Sequence, residues 1–113
     1  MHKLTIHIRK EKLAKETSIE IIESLLDNRD IKNIALKARG KYVSRAVDTL
    51  EILKRELNIQ EANITTDTVR LTNREGSQTN VSEINIEIKD LKISSGWLEQ
   101  YYNLHKSELM PKG

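Results

Sequence analysis

Alternating apolar and polar residues predict two strands near the start of the chain. Residues 4–8 have the sequence LTIHI, and residues 34–39 have the sequence IALKAR and end at Gly40. A period of two residues is typical of a strand that buries one face. The apolar positions expected to face the core are Leu4, Ile6, Ile8, Ile34, Leu36 and Ala38.

Apolar residues three and four positions apart predict two helices. The first begins between residues 12 and 17 and ends near Asp27; the segment TSIE at residues 17–20 fits a capping box, and a start one turn earlier fits equally well. The second runs from about Tyr42 to Leu57. Its apolar stripe consists of Val43, Ala46, Val47, Leu50, Leu53 and Leu57.

Two more strands are predicted at residues 65–72 and 81–88, joined by the polar connector NREGSQTN at residues 73–80, which is typical of a long hairpin tip. Right-handed crossovers then place both helices on one face of a single sheet. The predicted fold is therefore α+β, a two-layer βαβαββ sandwich with two helices on one face of a four-stranded mixed sheet. The other face is left for water, a partner or a second copy.

A short helix is predicted in a C-terminal extension, residues 93–113, that follows a domain formed by residues 1–92. Trp97, Tyr101 and Leu104 fall on one stripe, and Ser94 or Ser95 is a suitable cap. The helix either packs on its own domain or adds an interface to a partner protein.

The composition restricts the class of protein. The 113 residues suit one small domain, and they include no apolar run that could cross a bilayer and no secretory cleavage pattern, so we expect a cytoplasmic protein. There is no cysteine, and His2, His7 and His105 are scattered along the chain. No enzyme, metal ion, cofactor, small-molecule substrate or membrane contact is therefore predicted.

Positive charge is concentrated in one region, although the net charge is only +2. Residues 31–47 contain five lysines and arginines and no acid, whereas residues 48–113 contain eight basic and eleven acidic residues. Most of the first group surrounds the start of the second predicted helix, where the helix dipole repels cations. Backbone amides without acceptors, next to Gly40 at the helix start, would make this turn a phosphate-binding site. The less specific interpretation is an ordinary solvated surface.

Two segments carry a resemblance to a known family. LKARGKYVSRAVDTLEI at residues 36–52 and LTNREGSQTNVSEINI at residues 71–86 resemble the Alba (Sac10b) family of small archaeal chromatin proteins, whose central motif is close to IKARGxxISKAVDxxEI. The resemblance extends over roughly residues 4–90. It implies a homodimer, or a heterodimer with an Alba paralogue, that lays its Lys-Ala-Arg-Gly loop on the DNA backbone and its hairpin arms along the minor groove.

Together, the charge pattern and the resemblance predict a sequence-nonspecific, chromosome-associated protein that binds double-stranded DNA and possibly RNA. Tyr42 either stacks on a base or simply covers the helix start. No helix offers side chains suited to reading bases. The residues predicted to bind nucleic acid are Lys10, Lys12, Lys37, Arg39, Gly40, Lys41, Tyr42, Arg45 and Arg74.

The chain departs from the family pattern at three places. The loop after the first strand lacks the family's proline and matches only one of its two lysines, Lys10; Leu57 replaces a phenylalanine; and Ser77 and Asn80 occupy positions where arginine is frequent. Two alternatives to DNA binding stay open, because phosphate contacts do not separate DNA from RNA and because the net charge is low and the C-terminal segment aromatic. One is an RNA-binding or ribonucleoprotein-associated role, and the other is a paralogue that binds a protein through its aromatic C-terminal segment.

Overall fold

The computed structural model describes residues 3–57, 59, 61–92 and 95–105. In chain order the elements are β1 (Lys3–His7), α1 (Ala14–Asp27), β2 (Asn33–Arg39), α2 (Val43–Leu57), β3 (Asn63–Thr72), β4 (Gln78–Ile88) and α3 (Ser95–His105). A single 3₁₀ turn, Gly40–Tyr42, joins β2 to α2. None of the helices in these ranges has the length and apolar character needed to cross a bilayer.

The strands form one mixed sheet in the order β1-β2-β4-β3. β1 runs parallel to β2, and β4 runs antiparallel to both β2 and β3. One face of the two central strands is apolar and joins buried residues of α1 and α2 in a single core. Its cross-strand pairs are Ile34 with Ile88, Leu36 with Ile86, and Ala38 with Ile84. The predicted two-layer α+β fold is confirmed.

The capping box predicted at residues 17–20 is wrong, because α1 begins one turn earlier, at Ala14. Thr17 and Ser18 are buried inside the helix, and the Ser18 hydroxyl donates to the Ala14 carbonyl at 2.8 Å. At the observed N-terminus of α1, the Glu16 carboxylate accepts a hydrogen bond from the Leu13 N–H at 3.2 Å. The earlier start, which the sequence also allowed, is confirmed.

The hairpin strands are longer than predicted, since β3 begins at Asn63 and β4 at Gln78. Pairs such as Arg70 with Asn80 and Thr72 with Gln78 continue the ladder into the predicted connector. These residues are exposed, so no apolar alternation marks them as strand. The paired strands therefore extend beyond the core as a two-stranded arm, which we call the hairpin arm (residues 69–81).

The C-terminal helix packs against α1, which confirms one of its two predicted roles. Leu98 and Tyr101 are buried, whereas Leu104 is 76% exposed, so its predicted place on the packed stripe is wrong. Partial desolvation of the Tyr102 hydroxyl, and secondly the nearby carboxylate of Glu23 on α1, raise the pKa of Tyr102. The helix begins at Ser95, and the alternative cap at residue 94 lies outside the described residues.

Two leucines of α3 test this packing. We expect Leu98→Ala to lower the free energy of unfolding by about 2–3 kcal/mol, because it leaves a cavity between α1 and α3. Leu104→Ala should change it by less than about 0.5 kcal/mol, because that side chain is largely exposed. Urea denaturation followed by circular dichroism measures both. Equal losses for the two variants would contradict the observed orientation of the helix.

Candidate nucleic-acid interface

Strand direction brings three basic segments to one end of the sheet. The carboxyl ends of β1 and β2 lie side by side there, because these strands are parallel and His7 pairs with Lys37. The hairpin arm leaves the sheet at the same end, because β4 pairs Glu83 with Arg39 and its preceding residues continue outward. We call this region the basic end of the sheet; it comprises residues 7–12, 37–45 and the hairpin arm.

The turn between β2 and α2 forms the centre of the basic end. Gly40 has a φ of +58°, a backbone conformation that glycine adopts without steric cost. A side chain there would also touch Val81 of the hairpin arm, whose Cγ1 atom lies 3.5 Å from the ideal Cβ position. The first amides of a helix lack intrahelical acceptors, so the start of the 3₁₀ turn is suited to an anion.

A surface cavity of about 420 Å³ lies beside this turn. The side chains of Lys37 and Arg39 on β2 are both exposed at its edge. A backbone hydrogen bond of 2.8 Å from Ile8 N–H to the Lys37 carbonyl fixes β1 against β2 at this point. The residues that line the cavity are His7, Ile8, Lys37, Ala38, Arg39, Tyr42 and Glu83. The cavity is thus lined by both apolar and polar side chains, with the two cations Lys37 and Arg39 at its edge.

One acid on β4, Glu83, pairs directly with a cation of the basic end. The Arg39 Nε donates to Glu83 Oε2 at 2.6 Å, and both side chains are partly exposed. Within the described residues, Lys37 and Lys41 have no carboxylate partner of this kind. A phosphate that approached Arg39 would therefore compete with Glu83, whereas it would meet the two lysines without such competition.

Tyr42 packs on the core and lies beside two cations. Its ring is half-buried against the apolar cluster, and its centroid is 5.5 Å from Lys41 Nζ and 5.6 Å from Arg45 Cζ. These distances are within the range of cation–π attraction. The ring thus covers the helix start, as one of the two predicted roles required, and stacking on a base stays a prediction.

Arg45 faces backbone carbonyls of the loop between β1 and α1. Its Nη1 lies 3.0 Å from the Arg9 carbonyl oxygen, 3.2 Å from that of Lys10 and 3.0 Å from that of Lys12. The Lys12 ammonium is ion-paired with Glu20 on α1, whereas the Lys10 side chain is exposed. The structure therefore joins the loop to α2 through Arg45, one of the three arginines that the sequence had suggested as nucleic-acid contacts.

Arg74 lies apart from the turn, at the tip of the hairpin arm. The Asn73 Oδ1 organises the tip by accepting the N–H groups of Glu75 and Ser77, both at 2.9 Å. Gly76 has a φ of +84°. Strand geometry puts the tip about 20 Å beyond Val81. The structure thus groups eight of the nine predicted residues at the turn and loop, and leaves Arg74 as a separate contact.

Sequence reasoning missed other residues of the basic end. Arg70 is exposed on the hairpin arm and pairs with Asn80, and His7 borders the cavity next to Lys37. Arg70 lies in the strand predicted at residues 65–72, and its position near the hairpin end of that strand was the signal that could have identified it. Glu83 could be found only from the register between β2 and β4.

The comparisons with known proteins all point to one family. The family model described as Alba matches residues 4–69. A protein of Methanocella arvoryzae named DNA/RNA-binding protein Alba is 36% identical over 64 residues, which cover 55% of this chain and 67% of the relative. A protein of the same name from Methanoculleus marisnigri is 45% identical over 67 residues, covering 58% and 72%. Both names describe nucleic-acid binding.

Solved structures show the same fold. Alba from Thermoplasma volcanium aligns with a TM-score of 0.61 and 32% identity, covering 75% of this chain and 98% of that one. ALBA1 from Trypanosoma brucei aligns with a TM-score of 0.66 over 93% of this chain and 84% of its own, at 17% identity, which supports the fold alone. Because the family model covers more than half of the sequence and includes the whole β2–α2 turn, the chain belongs to the Alba family.

Proposed function

We propose that the protein binds the sugar–phosphate backbone of nucleic acids through the basic end of the sheet. The observation that carries this proposal is the exposure of Lys37, Arg39 and Lys41 around a positive-φ glycine at the start of α2. The names of the two relatives, DNA/RNA-binding protein Alba, support it.

The binding free energy comes from electrostatics. In the free protein, the cations of the turn repel the positive end of the helix dipole. When a phosphate binds, the cations and the dipole both attract it. Neutralised phosphates release condensed counterions, so the logarithm of the association constant falls with the logarithm of salt concentration, with a slope near −0.9 per phosphate on duplex DNA. We expect roughly four to six such contacts per subunit.

Double-stranded DNA is the proposed main partner, and chromosome association follows from it. The hairpin arm carries the exposed Arg70 and Arg74 beyond the core, where they can enter the negative potential of a minor groove. Contacts of this kind depend on backbone position and groove shape, so no target sequence is expected.

RNA is the second candidate, because both relatives' names include it and because phosphate contacts do not separate the two polymers. Duplex DNA and structured RNA competing for the protein at one salt concentration distinguish the candidates. Displacement of bound DNA by equimolar RNA would favour an RNA partner.

We also propose that two subunits associate, either as a homodimer or with a paralogue. The helices leave edge strand β3 uncovered, and Ile64 on its helix-side face is 51% exposed although its neighbour Ile86 is fully buried. A partner that covers this face would bury Ile64 and double the number of phosphate contacts. The other possible interface is α3, through the exposed Leu104.

A charge reversal at the turn tests the binding site. Arg39→Glu/Lys41→Glu should weaken duplex DNA binding roughly 10- to 100-fold near 0.1 M salt and make the salt slope shallower by nearly 2, because two phosphate contacts are lost. Fluorescence anisotropy over a salt series measures both quantities. Every DNA sequence should lose affinity to the same extent.

Lys89→Glu/Lys92→Glu is the matched control for that experiment. It makes the same change in net charge at the opposite end of the sheet, beside the start of β2. Its effect should be several times smaller, since the distance exceeds the Debye length of about 10 Å at 0.1 M salt. Equal losses for the two double variants would show that binding follows net charge and not the turn.

Removing the acid that pairs with Arg39 should strengthen binding. Glu83→Gln frees Arg39 from its ion pair, and we expect duplex affinity to rise roughly two- to fivefold, in proportion to an exposed pair worth at most ~1 kcal/mol. Glu87→Gln removes the same charge from the same strand, but Glu87 pairs with Lys3, away from the turn. A hydrogen bond from Asn85, and secondly Lys3, lower the pKa of Glu87, so it is charged in the assay. Equal gains in the two variants would contradict competition at Arg39.

Two exposed hydrophobic residues test the subunit interface. Light scattering should give the wild type a mass about twice the 13.1 kDa of one chain. Ile64→Lys should lower it towards one chain, because a charge would be buried in the interface, and Leu104→Lys should leave it unchanged. If only Leu104→Lys dissociates the protein, the interface is on α3; a wild type that is already monomeric contradicts the dimer.

A further inference from the structure

We propose that Arg45 is a positioning residue, which holds the loop between β1 and α1 so that Lys10 reaches the nucleic-acid backbone. This inference rests on the proposed function and assigns a specific task within it. It differs from the direct phosphate contact that the sequence suggests for Arg45.

The geometry of the guanidinium carries the inference. One nitrogen, Nη1, lies within 3.2 Å of three carbonyl oxygens, those of Arg9, Lys10 and Lys12. The loop of residues 8–13 has no regular secondary structure, so carbonyls in it depend on such side-chain donors. Arg45 is half-buried, and its position on the first turn of α2 is fixed by the helix. It therefore transfers the rigidity of α2 to the loop.

The same contacts limit what Arg45 offers to phosphate. Nη1 carries two hydrogens and already shares them among three acceptors, and the Tyr42 ring lies 5.6 Å from the guanidinium carbon. A phosphate that bound Nη1 would displace the loop carbonyls, and the loop would lose its anchor, so that a direct contact is limited to Nη2 and Nε.

Lys10 is the side chain that this anchor places. Of the two lysines in the loop, Lys12 is ion-paired with Glu20, whereas Lys10 is exposed and has no carboxylate partner within the described residues. The Arg45 contact ties the Lys10 backbone to the first turn of α2. The loop and the turn thus present their cations on one surface. Because the loop is already ordered in the free protein, binding does not incur the entropic cost of ordering it.

Substitutions at Arg45, made with and without Lys10, test this role. Arg45→Lys keeps the charge but lacks the rigid fork, so it should weaken duplex DNA binding roughly fivefold, close to the effect of Arg45→Gln, with little change in salt slope. Lys10→Ala alone should also weaken binding. In the Lys10→Ala background, either Arg45 substitution should add less than about a twofold loss, because the anchor then has nothing to place.

Three results would overturn the proposal. The first is an Arg45→Lys variant that binds like wild type while Arg45→Gln loses affinity and about 0.9 of salt slope, as expected for a direct phosphate contact. The second is an Arg45 effect of undiminished size in the Lys10→Ala background. The third is a Lys10→Ala variant with wild-type affinity. In all three, binding by the wild type leaves the proposed function intact.

A measurement on the wild type covers the case in which Arg45 variants fold poorly. Nuclear magnetic resonance of arginine side chains in the full chain should show separate, slowly exchanging Nη signals for Arg45, because its hydrogen bonds restrict rotation. Addition of a short duplex should shift the Arg39 side-chain signals and leave those of Arg45 nearly unchanged. Larger shifts at Arg45 than at Arg39 would contradict the positioning role.

Discussion

Parallel pairing of β1 with β2 is the constraint on which the interface depends. Because the two strands run in the same direction, in register from Lys3 with Asn33 to His7 with Lys37, the segments that follow them leave the sheet at one end. β4 is antiparallel to β2, so the hairpin arm enters the sheet at that same end. Three basic segments that are distant in the sequence are thereby collected into one surface by strand direction alone.

Such a surface is electrostatically unfavourable in the free protein, and the structure offsets part of that cost. Glu83 pairs with Arg39, the Tyr42 ring lies within 5.6 Å of two cations, and loop carbonyls accept from Arg45 Nη1. Each contact also fixes the side chain concerned. In the proposed function, Lys37 and the other uncompensated lysines supply the attraction for phosphate. On that proposal, the cations that maintain the shape of the surface are different from the cations that bind, a division that charge counting cannot make.

The sequence predicted the fold wherever burial leaves a periodic pattern. The alternation that ends at Ile88 predicted most of β4, but its first three residues, from Gln78 on, are exposed on the hairpin arm, carry no such pattern and were not predicted as strand. Leu104 fitted a helical stripe, although packing on α1 selected Leu98 and its neighbours. In the site, charge identified the turn; the contacts of Arg45 were beyond prediction, because they go to backbone carbonyls that have no sequence signature.

The central claim is that the end of the sheet from which the hairpin arm projects binds nucleic acid. The most direct test is to titrate a short DNA duplex into ¹⁵N-labelled protein at low salt and to map which amide signals shift. We predict the largest shifts at Gly40, Lys41 and Lys10, with smaller ones at Arg74 and almost none on α3. Shifts that are concentrated on α3, or spread evenly over the surface, would contradict this account.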